Sequence, residues 1–554
     1  MSEQGKKKAV APVLQNMQDY ISNHYMDELL DEVCAGIELG IVENLEIDVG
    51  NGKVVIDRND SKIVRTDLWW KDRTHLLADI RMRTKIGLSQ DSGIPRYYVR
   101  YINFSAEFTL DGGIMLHPGI KELSTCCLPE RKFPRLSKYL VPVLSYDEME
   151  IMVLQLLRRY IGEHAAMTYQ ENGATALAEA MGLKIKRVSL YRNHHTSAIL
   201  YFKEGHARVV ASGAIGSATD DEGFQDMTVP EKTILINENR LHQGDMEREI
   251  YHECGHYEWH SMFFELQELH AADLRLLKYA EADKHSKPAE KDVRWVERQA
   301  SFVGIAAMFP RPVITPLVNK YWAEVANTQV NLGQKISNVI YQIASDKQKS
   351  KSLIKTRLIT MGSVGAKGAY NFVDGKYIEP FAFNPDNLCS NDTFVISRSQ
   401  FTALYETDAD FRNLISTHQY IYADGHVCCN LPPFIRNSGN RAMLTAWALA
   451  HIDECCLRFH KSYHVSEATG YQVGELHSDA DYNEVYLTIH TMEITGMTTE
   501  DVIEKNMEYL DTFPRRPTTA LKKLIADRVG TQNELSLNSG LSPATISRMC
   551  KDDN

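Results

Sequence analysis

Between residues 232 and 261 the chain reads KTILINE and then, after a short polar stretch, EREIYHECGHYEWHS. The first run is short and apolar, the mark of a buried strand, and the second places His252, Glu253 and His256 in the order His-Glu-x-x-His. No other feature narrows the fold as far, because a strand must lead into a helix that carries two imidazoles on one face. On a helix the two histidines stand about 40° apart and one turn along the axis, so both can reach one ion. Nitrogen ligands sit about 2.0–2.1 Å from Zn2+. Glu253 lies about 100° round from His252, outside the ligand set but placed to take a proton from a water that attacks a substrate carbonyl. Asp245, after Gly244, reads as the N-cap, with Glu247 and Glu249 in the positive first turn. Gly255 costs about 1 kcal/mol relative to alanine in a helix interior, which fits a place where another backbone comes close. Cys254 reads as a small buried apolar residue.

Two histidines leave a metal site incomplete. Trp259 and Met262 occupy the positions where a metzincin needs Gly and His, which excludes that class. His260 extends the four-residue spacing, but three ligands on one straight helix spread over about 12 Å, so it reads as a supporting or surface histidine. The run DVRWVERQASFVGIAAMFP, a helix predicted over 292–308 and stopped at Pro310, supplies a better third ligand. There Glu297, Ala300, Gly304 and Ala307 form one stripe, and its small residues let the helix pack closely while aiming Glu297 at its neighbour. Trp295, Phe302 and Phe309 line another, bulkier face. The alternative for Glu297 alone is a surface carboxylate beside a packing seam. Beside the histidine pair, a His252/His256/Glu297 site is the expectation.

Taken together, IYHECGHYEWH and VERQASFVGIAAMFP resemble the ImmA/IrrE family of metallo-endopeptidases. That family's pattern is His-Glu-x-x-His followed by Glu-x-x-Ala-x-x-Phe-Ala and an end near Met-Pro. The resemblance covers residues 145–365 and implies a zincin-like core. It implies Zn2+ held by His252, His256 and Glu297, with Glu253 as catalytic base. It also implies cleavage of a helix-turn-helix transcriptional repressor in a mobile-element or stress response. The chain departs from the pattern at Gly304, near where the family shows Ala, and in the charged insert KYAEADKHSKPAEKD between the two helices. The residue that would stabilise the oxyanion stays open among Tyr257, His260 and His270.

A chain of 554 residues exceeds one core. The expected fold class is α+β multidomain, with a β-rich N-terminal domain at 1–144, the metallopeptidase core at 145–365 and a mixed α/β region at 366–510. A helix-turn-helix unit completes it at 511–554. Helical patterning covers 15–45, and strand-like runs cover 53–57 and 76–82. YYVRYINFSAEFTLDGGIML then puts Tyr98, Ile102, Phe104, Ala106, Phe108 and Leu110 on one face at period two. The strands LKIKRVSLY, SAILYFK and ARVVAS precede the His-Glu-x-x-His helix.

TQNELSLNSG and SPATISRM, divided by Gly540, resemble the helix-turn-helix of phage repressors. Ala544, Thr545 and Arg548 are the positions expected to face DNA, with Gln532 near a phosphate. A helical docking module, or a mimic of the repressor, is the alternative for this unit. His426, Cys428, Cys429, His451, Cys455, Cys456, His460 and His464 lack the Cys-x-x-Cys spacings of zinc sites. They read as structural thiols, with LTAWALAHIDECCLRFH as an amphipathic helix burying Leu449, Ile452, Cys456 and Phe459.

The net charge of −12 argues against a chain that coats nucleic acid or an anionic membrane. No apolar run spans a bilayer, no signal h-region opens the sequence, and the ten cysteines form no secreted-type framework. A cytoplasmic location is expected. Two rivals to the peptidase remain: a DNA-binding regulator with a structural or inactive metal site, and a protein that sequesters its partner without cutting it.

Overall fold

A computed structural model describes residues 16–40, 53–89, 96–111, 114–117, 119–125, 128–190, 197–210, 224–238, 243–268, 287–388, 392–438 and 441–460, with 464–465 and 472–473. The expected helix-turn-helix, including Gln532, Ala544, Thr545 and Arg548, lies outside the described residues, as does His270. The chain is a mixed α+β protein. No single described helix is long and apolar enough to cross a membrane.

The N-terminal part pairs two helices, α1 (Met17–His24) and α2 (Met26–Glu38), with a seven-stranded sheet. Its strands are β1 (Lys53–Ile56), β2 (Lys62–Trp70), β3 (His75–Ser89), β4 (Arg96–Asp111), β5 (Ile114–Leu116), β6 (Ile120–Ser124) and β7 (Arg135–Leu136). The long strands β3 and β4 are antiparallel and set Ala78 opposite Ala106, Ile80 opposite Phe104 and Met82 opposite Ile102. Period-two alternation buries Ile102, Phe104, Ala106, Phe108 and Leu110 as expected, whereas Tyr98 is exposed near the start of the strand. Met17, Ile21, Leu29, Leu30, Val33 and Ile37 of the two helices share this core.

Residues 144–369 build a second core. Helix α3 (Tyr146–Ile161) opens with a capping box, Ser145 accepting from Glu148 N–H while the Glu148 side chain accepts from Ser145 N–H. After α4 (Glu163–Met167) and α5 (Gly173–Ala180) come β8 (Lys184–Val188), β9 (Ala198–Tyr201), β10 (Gly205–Val210), β11 (Phe224–Val229) and β12 (Thr233–Asn237). Strand β12, every residue of it buried, runs between β8, its parallel neighbour, and β9, its antiparallel one. β10 and β11 form a separate antiparallel pair. FQDMTV, which forms β11, lacks the alternation that marks a strand in sequence, so pairing with β10 defines it.

Helices α6 (Gln243–Trp259), α7 (Ser261–Glu268), α8 (Lys287–Met308), α9 (Arg311–Val325), α10 (Leu332–Asp346) and α11 (Lys351–Thr360) follow. Because α6 starts at Gln243, Asp245 lies inside the first turn and not at the cap. Pro310 ends α8 as expected and is also the N-cap of α9.

A third core gathers Phe381, Phe383, Phe394, Phe434, Ile452, Cys428, Cys455 and Cys456. It contains the antiparallel strands β13 (Tyr420–Ala423) and β14 (His426–Cys429). The single amphipathic helix expected over 444–460 is instead two short ones, α12 (Ala446–Ala450) and α13 (Ile452–Cys455), and then extended chain. His451 at φ −136°, ψ 51° breaks the helix, and Cys456 turns extended to bridge Cys428. Leu449, Ile452, Cys456 and Phe459 are nonetheless all buried.

Candidate metal centre

The site begins with the packing of α6 against α8. A β-carbon on Gly255 would come within 2.9 Å of Val303 Cβ. On the facing helix, a β-carbon on Gly304 would meet the Arg248 carbonyl at 2.9 Å and His252 Cβ at 3.5 Å. Two glycines therefore allow the helix axes to approach, and Ala300 and Ala307 are buried along the same stripe. This closeness carries Glu297, one turn before the Ala300 level, across to the histidine face.

His252, His256 and Glu297 converge, their ligand atoms all within 4.8 Å of one another. The two Nε2 atoms are 2.9 Å apart, and each is 3.6 Å from a Glu297 carboxylate oxygen. Ligands about 2.05 Å from a tetrahedral ion stand about 3.3 Å apart, so the three separations bracket what one small cation requires. The His256 side chain is buried, while those of His252 and Glu297 are 16% and 26% exposed, so the cluster opens on one side. Burial works against charge on Glu297, but His256 and His252 beside it hold its carboxyl well below the usual range. Burial lowers the His256 pKa; at His252 burial also works downward, but the Glu297, Glu253 and Glu249 carboxylates together outweigh it and raise the pKa.

Behind the cluster runs a chain of hydrogen bonds that decides the tautomer of His256. The Pro142 carbonyl can only accept, so it takes a proton from Gln299 Nε2 at 2.6 Å. That orients Gln299 Oε1 toward His260 Nε2, 2.9 Å away, which must then carry the hydrogen. His260 is fully buried, and burial holds its pKa down to about 3, so it is neutral and its Nδ1 is a lone pair. His256 Nδ1, 3.2 Å from it, is therefore the donor. His256 Nε2 is left without a proton, its lone pair toward His252 and Glu297, the form a metal ligand needs. His260 is thus the supporting residue of the two positions its spacing allowed. Gln299 and Pro142 escaped the sequence reading, because Pro142 lies 157 residues from Gln299 and no periodicity links them.

Glu253 is buried and turned toward β9, where Oε2 accepts from Leu200 N–H at 2.9 Å. Asn237 N–H donates to the Ser197 carbonyl, and the alternation of an antiparallel ladder then points Leu200 N–H away from β12. Glu253 therefore stands beside the edge strand of the three-stranded sheet, outside the ligand cluster. Tyr257 is buried with its ring stacked on Phe202 and the Arg73 guanidinium 4.6 Å from its centroid. Compared with protein-family models, curated proteins and solved structures, the chain finds no match.

Proposed function

We propose that this chain is a zinc-dependent metallo-endopeptidase of the ImmA/IrrE type, acting on a protein partner of the helix-turn-helix repressor class. The convergence of His252, His256 and Glu297 carries the reading. Two neutral-capable imidazoles and a carboxylate suit Zn2+, and three protein ligands leave a coordination position open, as catalytic zinc sites require. A bound Zn2+ would supply Lewis acidity toward a scissile carbonyl and the water that attacks it. His252, His256 and Glu297 would hold it, and the partly exposed side of the cluster would admit substrate. An extended peptide would lie along β9, adding as a strand at the sheet edge. Glu253, beside that edge, would take the proton of the attacking water and pass it to the leaving amine.

Metal content by mass spectrometry, on protein purified without added metal, tests the ligands. The expected result is about one zinc per chain in the wild type and none in Glu297→Ala. Zinc-free wild type, or zinc indifferent to Glu297, would overturn the assignment. Cleavage is tested by digesting a proteome-derived peptide library and sequencing the products. Glu253→Gln should keep its zinc and lose cutting; zinc-loaded wild type that cuts nothing would instead favour a regulator or a sequestering protein.

A further inference from the structure

A second cluster lies in the third core, remote in sequence from the first. Cys428, Cys455 and Cys456 are each buried, and their sulfurs all lie within 4.8 Å of one another. None forms a disulfide. Adjacent residues in a regular element point apart, which is why the pair 455–456 is a poor chelator by spacing alone. Here α13 ends at Cys455 and Cys456 is extended, at φ −115°, ψ 148°. The change of conformation between them brings their sulfurs to 3.9 Å from each other. The bridge between Cys428 and Cys456, secured by Leu457 N–H to the Val427 carbonyl at 2.8 Å, delivers the third sulfur.

Among the described residues no other Cys, His, Asp or Glu joins this group. Cys429 lies on the opposite face of β14 from Cys428. Asp453 is occupied with Asn384 N–H and Asn387 Nδ2. His426 binds the Phe394 carbonyl through Nδ1. The donor set is therefore three sulfurs in an apolar layer that includes Phe394, Phe434 and Leu449. A cation in the plane of three sulfurs at about 2.3 Å separates them by about 4 Å. Structural zinc takes four ligands, whereas soft thiolate sites also select Cu(I).

We propose that Cys428, Cys455 and Cys456 form a three-sulfur site for one Cu(I) ion. Thiol protons leave to solvent as the metal–sulfur bonds form, with no change of oxidation state. The site is independent of the peptidase reading.

The test is an anaerobic titration of the reduced full-length chain with Cu(I) against a chromophoric Cu(I) chelator, followed by X-ray absorption at the copper edge. The expected result is one copper per chain with three sulfur neighbours at about 2.3 Å, retained in His256→Ala. Cys428→Ser and Cys455→Ser should weaken binding at least about 100-fold. Cys34→Ser, whose thiol meets the Val54 carbonyl in the N-terminal part, should bind as the wild type does. Copper with nitrogen or oxygen neighbours, copper lost in His256→Ala, or no competition with the chelator would each overturn the proposal. If the cysteine variants unfold, the sulfur count around copper in the wild type decides it.

Discussion

At the scale of single residues, the chain of contacts from Pro142 through Gln299 and His260 to His256 does work that spacing does not reveal. His260 is no ligand, yet its lone pair holds the hydrogen of His256 on Nδ1 and leaves Nε2 bare. Outer partners of this kind typically change metal affinity about 10–100-fold when removed. His260→Ala and Gln299→Leu should therefore both weaken zinc binding within that range, measured by competition with a fluorescent chelator. Glu253→Gln, which leaves the same chain intact, should bind zinc as tightly as the wild type. Equal affinity in all four proteins would show that the tautomer is set some other way.

At the scale of elements, the centre depends on how closely α6 and α8 approach. Gly304 faces the Arg248 carbonyl, a backbone atom that cannot rotate away, whereas Gly255 faces only the Val303 side chain. Gly304→Val should cost about 1–3 kcal/mol by overpacking and also loosen the site, because it pushes Glu297's helix off the histidines. Gly255→Ala meets a buried β-branched neighbour and should be the milder change. Thermal melts with and without zinc check both: a Gly304→Val protein that keeps the zinc-induced rise in melting temperature would contradict a spacing role.

Across the whole molecule, one buried ion pair ties distant segments of the second core together. Arg357 on α11 is fully buried and meets both carboxylate oxygens of Glu150 on α3, 207 residues away, with Nη2 to Oε2 at 2.9 Å. Its Nε also donates to the Phe309 carbonyl at 2.8 Å, where α8 ends. Arg357→Met leaves the buried Glu150 carboxylate with only the partly exposed Arg311 guanidinium at 3.9 Å and should cost about 3–5 kcal/mol, while the double change Glu150→Leu/Arg357→Met should recover most of it. Urea unfolding midpoints would separate the two; equal losses in the single and double variants would mean the pair is not the source. The N-terminal sheet is joined just as directly to the centre. Its core is completed by Met262 and Leu266 of α7, the helix that follows the histidine helix.

Much of this was legible in sequence because it is local or periodic. A buried strand before a His-Glu-x-x-His helix, a small-residue stripe beneath Glu297 and the period-two face of β4 all follow from repeats of 3.6 or two residues. The sequence by itself determined which helices carry His252, His256 and Glu297 and which faces are buried. Only the tertiary structure decided what meets those faces. Pro142 reaches Gln299, Cys428 reaches Cys455 and Cys456, and β11 exists through β10, because each depends on the path of the chain between partners. The helix expected over 444–460 failed for the same reason: a bridge to Cys428 outweighed the helical pattern. Local physics sets the element, and the partner supplied by the fold sets where it ends.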